Sequence, residues 1–184
     1  IRYRDLNNDG KIDEDDRTWI GNPQPDFIYG LNLNLDYKNF DFTVFFQGVH
    51  NVDVVSNVKR HTDFWSVQDT YGNKGRRLLD AFDPVTNPDS DIPSVSSVDD
   101  NNEGRMSTYY VENGSYLKLR NVQLGYTLPK ELSERVKLSK LRLYVSGQNL
   151  FTIKSKSFTG KDPENPNYGY PIPLTFTMGL NASF

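Results

Sequence analysis

Five stretches of the chain alternate apolar and polar residues with a period of two, each over roughly nine to thirteen residues. That period puts every second side chain on one face of an extended strand, whereas a helix needs recurrence every three to four residues. Phe27–Tyr37 reads FIYGLNLNLDY, with Phe27, Tyr29, Leu31, Leu33, Leu35 and Tyr37 on one face and Gly30, Asn32, Asn34 and Asp36 on the other. Phe40–Gly48 follows after only Lys38 and Asn39, a length suited to a tight hairpin. Tyr116–Leu128 begins with Leu117 and Leu119 on its apolar face and ends with Val122, Leu124, Tyr126 and Leu128. The phase slips near Arg120–Asn121, which predicts a β-bulge. Leu141–Ile153 and Leu174–Phe184 complete the set. The one helical candidate is the polar stretch Lys130–Leu138 after Pro129.

The fold class is therefore all-β. Alternation alone leaves two architectures open, because a soluble sandwich buries the same apolar face against a second sheet and a transmembrane barrel turns it to lipid. No run of 18 apolar residues exists, but barrel strands keep average hydropathy low. The strand lengths match the roughly 9–11 residues that a tilted spanning strand needs.

The connections favour the barrel. Lys38–Asn39 and Pro129–Lys140 are short, whereas Val49–Ser115 and Lys154–Pro173 are long. Outer-membrane barrels place short turns in the periplasm and long loops outside. With a periplasmic C-terminus, residues 1–26, 49–115 and 154–173 become extracellular, and the parity closes. Five strands cannot close a barrel, and open edges are not tolerated in hydrocarbon. The remaining strands are therefore expected from sequence outside these 184 residues, which begin at Ile1 without an initiator Met or a signal peptide. The last strand ends with Gly179, Ala182 and Phe184 in a pattern resembling the C-terminal signal by which barrel proteins reach the outer-membrane insertion machinery.

Asp5–Asp16 reads DLNNDGKIDEDD. Asp5, Asn7 and Asp9 take positions 1, 3 and 5 of an EF-hand-type loop, and Gly10 takes position 6, where the chain turns sharply. Lys11 offers its carbonyl at position 7, and Asp13 and Asp16 take positions 9 and 12. Hard oxygen donors in this spacing suit Ca²⁺. Strand signals rather than helices follow, so the expected role is a structural Ca²⁺ that stiffens an extracellular loop.

Other chemistry is thinly represented. The net charge of -3 gives no basic footprint for nucleic acid, and the absence of cysteine excludes disulfides and thiolate sites. His50 and His61 lack partners in zinc spacing. Serine-nucleophile, P-loop and dinucleotide motifs are missing, and the carboxylates of Asp80–Glu103 lie scattered among Pro, Ser and Asn. No catalytic residue is assigned. Phe64, Trp65 and Tyr71 cluster with Arg76 and Arg77 in the longest connection. They suit ligand or partner contact, or equally the folding of that segment onto itself.

The run DLNNDGKIDEDDRTWIGNPQPDFIYGLNLNLDYKNFDFTVFFQG resembles the late segment of the SusC/RagA-type TonB-dependent receptors. So do GSYLKLRNVQLGYTLP at Gly114–Pro129, LRLYVSGQNLFTI at Leu141–Ile153 and the terminal TFTMGLNASF. The resemblance spans nearly the whole chain and is weakest over Val49–Arg105. It implies the last five strands of a 22-stranded barrel around an N-terminal plug, in the outer membrane of a Gram-negative bacterium. It further implies uptake of a glycan or peptide too large for porins, a SusD-like surface lipoprotein as partner, and energy from the TonB complex through the missing N-terminal part. The alternatives are a soluble calcium-stabilised β-sandwich that binds carbohydrate or mediates adhesion, and a secreted hydrolase domain.

Overall fold

A computed structural model of the chain describes residues 1–64, 67, 72–99 and 101–184. It forms two compact units. The first comprises Pro25–Val52, Gly114–Ser155 and Tyr170–Phe184; the second comprises Ile1–Gln24, Asp53–Asn113 and Lys156–Gly169.

The first unit is one antiparallel sheet. Its strands are β1 (Phe27–Tyr37), β2 (Phe40–His50), β5 (Tyr116–Thr127), β6 (Lys140–Lys154) and β7 (Thr175–Ser183), hydrogen-bonded in the order β1-β2-β5-β6-β7. Spatial order follows chain order, so each pairing is an up-and-down neighbour, as in barrel walls. All five expected strands are present, with β2 and β6 each running a little further than the alternation suggested. The β1–β2 turn is the two residues Lys38–Asn39, and Lys38 carries the positive φ of 55° that a tight turn requires. The bulge falls where the phase slips: pairing to β6 breaks between Leu119 and Asn121, and pairing to β2 breaks between Phe45 and Phe46. The short helix α2 (Lys130–Arg135) sits in the β5–β6 connection, inside the expected helical stretch.

Register sorts the side chains into two faces. On one, Leu33 opposes Val44, Val44 opposes Val122, Leu124 opposes Val145, and Val145 opposes Met178. Most of this face stays uncovered: Leu33, Leu124, Leu143, Val145, Met178 and Leu180 are exposed, while Val44 and Leu119 are buried. Its middle is aliphatic and its ends are aromatic. Phe27 and Tyr29 mark one end of β1, while Tyr37, Phe40 and Tyr126 mark the other, with the Phe40 and Tyr126 rings 4.6 Å apart. From Phe27 to Tyr37 the strand runs about 33 Å. A tilt of about 40° shortens this to about 25 Å along the membrane normal, the height of an outer-membrane apolar band with its aromatic girdles.

The opposite face is mainly polar and internally bonded, with the Phe45 ring lying against Gly30. Thr43 donates to Asn34 at 3.0 Å, and Arg120 donates through Nε to Gln47 at 2.8 Å. Arg142 grips Asp41 with two N–H groups, and this pair lies directly across Gly125 of the intervening strand. Tyr144 likewise lies across Gly179. Any Cβ at Gly125 or Gly179 would collide with these side chains. Such a face suits a wet lumen, where polar groups find partners or water.

The second unit is more ordered than a solvated loop. Inside the stretch read as a long connection lie β3 (Asp53–Val55), α1 (Asn57–Thr62) and β4 (Val111–Asn113), with β3 and β4 pairing antiparallel. Ser56 caps α1 by accepting the Lys59 amide at 3.4 Å. Strands three residues long, paired across more than fifty residues of chain, leave no local period to read.

Candidate functional site

The acidic loop turns where its pattern requires. Gly10 takes φ +85° with nothing near a notional Cβ, so the backbone alone demands glycine there. Asp5 accepts the amides of Asn8 at 2.6 Å and Gly10 at 2.8 Å. Asn7 accepts the Asp9 amide at 3.0 Å, and Asp9 accepts the Lys11 amide at 2.8 Å. Asp13 caps the single 3₁₀ turn Glu14–Asp16, and Asp16 answers by accepting the amides of Asp13 at 2.9 Å and Leu6 at 2.6 Å. Those two bonds, that from Asp13 foremost, hold the Asp16 carboxyl below its usual pKa. They are made by the charged form, so the turn is fully braced at and above the ordinary carboxylate range and loosens as pH falls below it, through the lowered Asp16 pKa.

The donor chemistry of Asp5, Asn7, Asp9, Lys11, Asp13 and Asp16 is that of a hard divalent cation. Among the described residues, no three His, Asp or Glu side chains converge to hold a metal. The carboxylates face loop amides instead. Each bonded carboxylate oxygen keeps a second acceptor direction, so these bonds and metal ligation are compatible.

The aromatic and arginine cluster resolves differently. Phe64 is buried and meets the rings of Tyr109 and Tyr110 edge-on, at centroid distances of 5.7 and 6.0 Å. Arg77 is bound through two N–H groups to Asp63. These two residues fold the segment onto itself. Arg76 stays exposed, and Trp65 and Tyr71 lie outside the described residues. The histidines are likewise engaged. His61 shares its Nδ1 with the Asn57 carbonyl at 2.7 Å and stacks on Tyr168, and the His50 ring neighbours Phe27.

What the sequence did not reveal is a buried polar network joining three distant segments. Asp63 is 2% exposed and accepts from Arg77, from the Tyr109 hydroxyl and from Thr62. Burial, reinforced by that Asp63 bond, raises the Tyr109 pKa far above its ordinary value, so the phenol stays a donor. Lys59 pairs with Glu112 at 3.1 Å and donates to the Tyr109 carbonyl at 2.7 Å. Glu112 in turn accepts from the Thr159 amide and hydroxyl, both at 3.0 Å. Removing either partner from a buried pair of this kind leaves an uncompensated charge and is costly. The same unit carries a cleft of about 1140 Å³, with Tyr3, Phe82 and Tyr109 beside Arg2, Arg105 and Asp91.

In the terminal strand, Gly179 is the close-packing site beneath Tyr144, Ala182 opposes Leu141, and Phe184 is almost fully exposed beyond the last strand residue. The ladder is prolonged toward Phe184 by the Ser139 amide, which donates to the Ser183 carbonyl at 2.8 Å.

No family model matches the chain. Individual proteins do. It is 37% identical over 198 residues to TonB-dependent receptor P3 of Formosa agariphila, covering 99% of this chain and 19% of that protein. TonB-dependent receptor P26 of the same organism is 33% identical over 100% of this chain and 19% of its own length. TonB-dependent receptor SusC of Bacteroides thetaiotaomicron is 30% identical over 99% of this chain and 17% of its own length. The chain thus spans about a fifth of the curated relatives it matches. Among solved structures, the RagAB peptide importer in its open-open state superposes with a TM-score of 0.75 at 24% identity, over 95% of this chain and 19% of that one. Its closed-closed state gives 0.69 at 23%, over 96% and 20%. At that identity the likeness speaks for the fold: an antiparallel barrel wall, here as an open sheet.

Proposed function

The chain belongs to the TonB-dependent receptors of the SusC/RagA type, matching a C-terminal segment of them, and on that premise we propose that the full-length protein actively imports a large nutrient, a glycan or a peptide. TonB-dependent receptors are outer-membrane proteins. In this reading the chain makes wall rather than engine: the apolar face meets lipid, the polar face lines the lumen, and no residue carries catalysis. The segments 1–26, 49–115 and 154–173 face outward, toward ligand and a SusD-like lipoprotein, and the C-terminus faces the periplasm. The TonB complex acts on the receptor outside these 184 residues. The aromatic and charged cleft near Tyr3, Phe82 and Arg105 supports contact with a large polar ligand. The observation that carries the reading is alignment along essentially the whole chain with TonB-dependent receptors. The soluble sandwich has no support from it.

Disrupting the chromosomal copy is the direct test. Uptake of labelled oligosaccharides or peptides above the porin size limit should be lost in the disrupted strain, and protonophore should abolish it in the parent. Uptake that survives both treatments sinks the transport reading.

Two expectations at individual sites accompany it. Ca²⁺ binding by the acidic loop is supported by its donor spacing and by the turn at Gly10. In the full-length receptor, Asp5→Ala combined with Asp9→Ala should remove one equivalent of bound Ca²⁺, measured by elemental analysis after dialysis, and expose residues 1–24 to protease. Unchanged calcium content would refute the site. Handover to the barrel-assembly machinery is supported by the spacing of Gly179, Ala182 and Phe184 along the last strand. Deleting it should lower the outer-membrane level of the receptor several-fold, read by quantitative blotting of fractionated membranes, and normal levels would remove the signal role.

A further inference from the structure

We propose that the β5–β6 end of the wall is a binding site for one anionic phospholipid, with an acyl chain along the outer face and the phosphate at the basic turn. The inference rests on the reading that short turns face the periplasm. On the outer face, Leu124, Leu143, Val145, Met178 and Leu180 line an apolar groove of about 530 Å³. The register makes these residues direct neighbours: Leu124 opposes Val145, Val145 opposes Met178, and Leu143 opposes Leu180. The groove is therefore continuous with the lipid-facing surface of the sheet, which argues for lipid as its occupant.

The chemistry changes where the same strands end. The connection from β5 into β6 brings three basic side chains, Lys130, Arg135 and Lys137, against two acidic ones, Glu131 and Glu134, while Lys140, the first residue of β6, shares the inner face with Arg142. Only Lys130 pairs locally, with Glu134 at 3.7 Å and both side chains in solvent. Arg135 and Lys137 are exposed. Lys137 holds a φ of +60°, so the chain reverses sharply there and presents the basic residues on a tight turn. Leu132 and Val136, one helical turn apart, are exposed beside them. Basic residues interleaved with exposed aliphatic ones, at the edge of an apolar band, form an interfacial pattern: long cationic side chains reach headgroups while apolar ones stay in the acyl boundary. Leu143 lies three residues inside the start of β6, about 10 Å along the strand from the turn. A chain laid in the groove thus brings its phosphodiester to the level of the turn. Cation–phosphate attraction selects an anionic headgroup over a zwitterionic one.

The test uses the full-length receptor, delipidated in mild detergent, given phosphatidylglycerol or phosphatidylethanolamine and read by native mass spectrometry. The wild-type protein should retain one phosphatidylglycerol in preference to phosphatidylethanolamine. Arg135→Gln with Lys137→Gln should lower that retention about tenfold, to the phosphatidylethanolamine level. Val145→Trp, which fills the groove, should lower retention of both lipids. Glu131→Gln with Glu134→Gln should raise retention of phosphatidylglycerol. If the double basic-turn variant retains phosphatidylglycerol like wild type, or loses no more than Lys156→Gln with Lys161→Gln does, the site is overturned. Orientation is tested apart, by Lys137→Cys and a membrane-impermeant maleimide. Labelling only after the outer membrane is permeabilised supports the periplasmic position; labelling of intact cells overturns that position and leaves the lipid measurement to stand or fall separately.

Discussion

Leu33→Arg in the full-length receptor is expected to destabilise the barrel by about 2–4 kcal/mol, the cost of a basic side chain near the bilayer midplane of a barrel wall. Leu33 sits mid-strand, opposite Val44, in the aliphatic zone between the two aromatic ends. Its neighbour Asn32 points to the other face, opposite Phe45. Asn32→Arg should therefore cost less than about 0.5 kcal/mol, as for a solvated surface position. At the rim of the same outer face, Tyr37→Arg should fall near 0–1 kcal/mol, because a long basic side chain there reaches the headgroups. Equilibrium unfolding in lipid vesicles measures all three. A second sheet would also punish Leu33→Arg, so one further readout separates lipid from protein. Leu33→Trp should be quenched by lipids brominated on their acyl chains, and Asn32→Trp should not. Equal quenching at both positions would remove the lipid face.

That contrast between adjacent residues is the physical content of the wall. A one-residue slip would exchange Leu33 for Asn32 across the whole strand. The bulge at Leu119–Asn121 protects against this in β5 by resetting the phase once, so that Leu117 and Leu119 share the lipid face with Val122 and Leu124. The close-packing glycines serve the inner face. Gly125 lets the Asp41–Arg142 pair bridge β2 and β6 over β5, and Gly179 lets Tyr144 lie flat. The Gly179 position has this packing reason for its identity whatever its part in membrane insertion.

These features differ in how far they could be read beforehand. Strands written in a period of two against a uniform solvent are legible from local pattern alone, because lipid asks the same of every outward position. β1, β2, β5, β6, β7 and the bulge fall in that class. Gly10 and its flanking carboxylates were legible too, since the turn they form is local. The second unit obeys a different rule. Phe64 and Arg77 stood out as chemistry-bearing residues, but their roles are set by Tyr109, Tyr110 and Asp63, and the two tyrosines lie more than forty residues along the chain from Phe64. An aromatic that stacks a ligand and one that closes a loop look alike until the partner is in place. The local signals for α1, Ser56 ahead of the helix and Lys59, Arg60 and His61 in its last turn, are too weak to separate it from any capped turn.

Asp63→Ala is expected to open the second unit locally, at a cost of about 3 kcal/mol. The carboxylate is buried and accepts two N–H groups of Arg77, the Tyr109 hydroxyl and the Thr62 hydroxyl. Its removal leaves the Arg77 guanidinium and a phenol that burial keeps protonated, both without their acceptor. Removing one partner of a buried pair costs about 3–5 kcal/mol; the lower end applies because Arg77 keeps 23% of its side-chain surface in water. At about 1.4 kcal/mol per factor of ten, amide protection in residues 53–63 and 107–113 should fall by about two orders of magnitude in hydrogen-exchange mass spectrometry. The strands of the wall should keep theirs, since they form a separate compact unit. Asp63→Ala combined with Arg77→Met should recover much of the loss, because replacing both partners leaves no orphaned charge. If the single variant exchanges like wild type, the pair is solvated and the unit is held by Phe64, Tyr109 and Tyr110 packing alone; if the double variant is worse than the single, the Arg77 stem rather than its charge carries the contact.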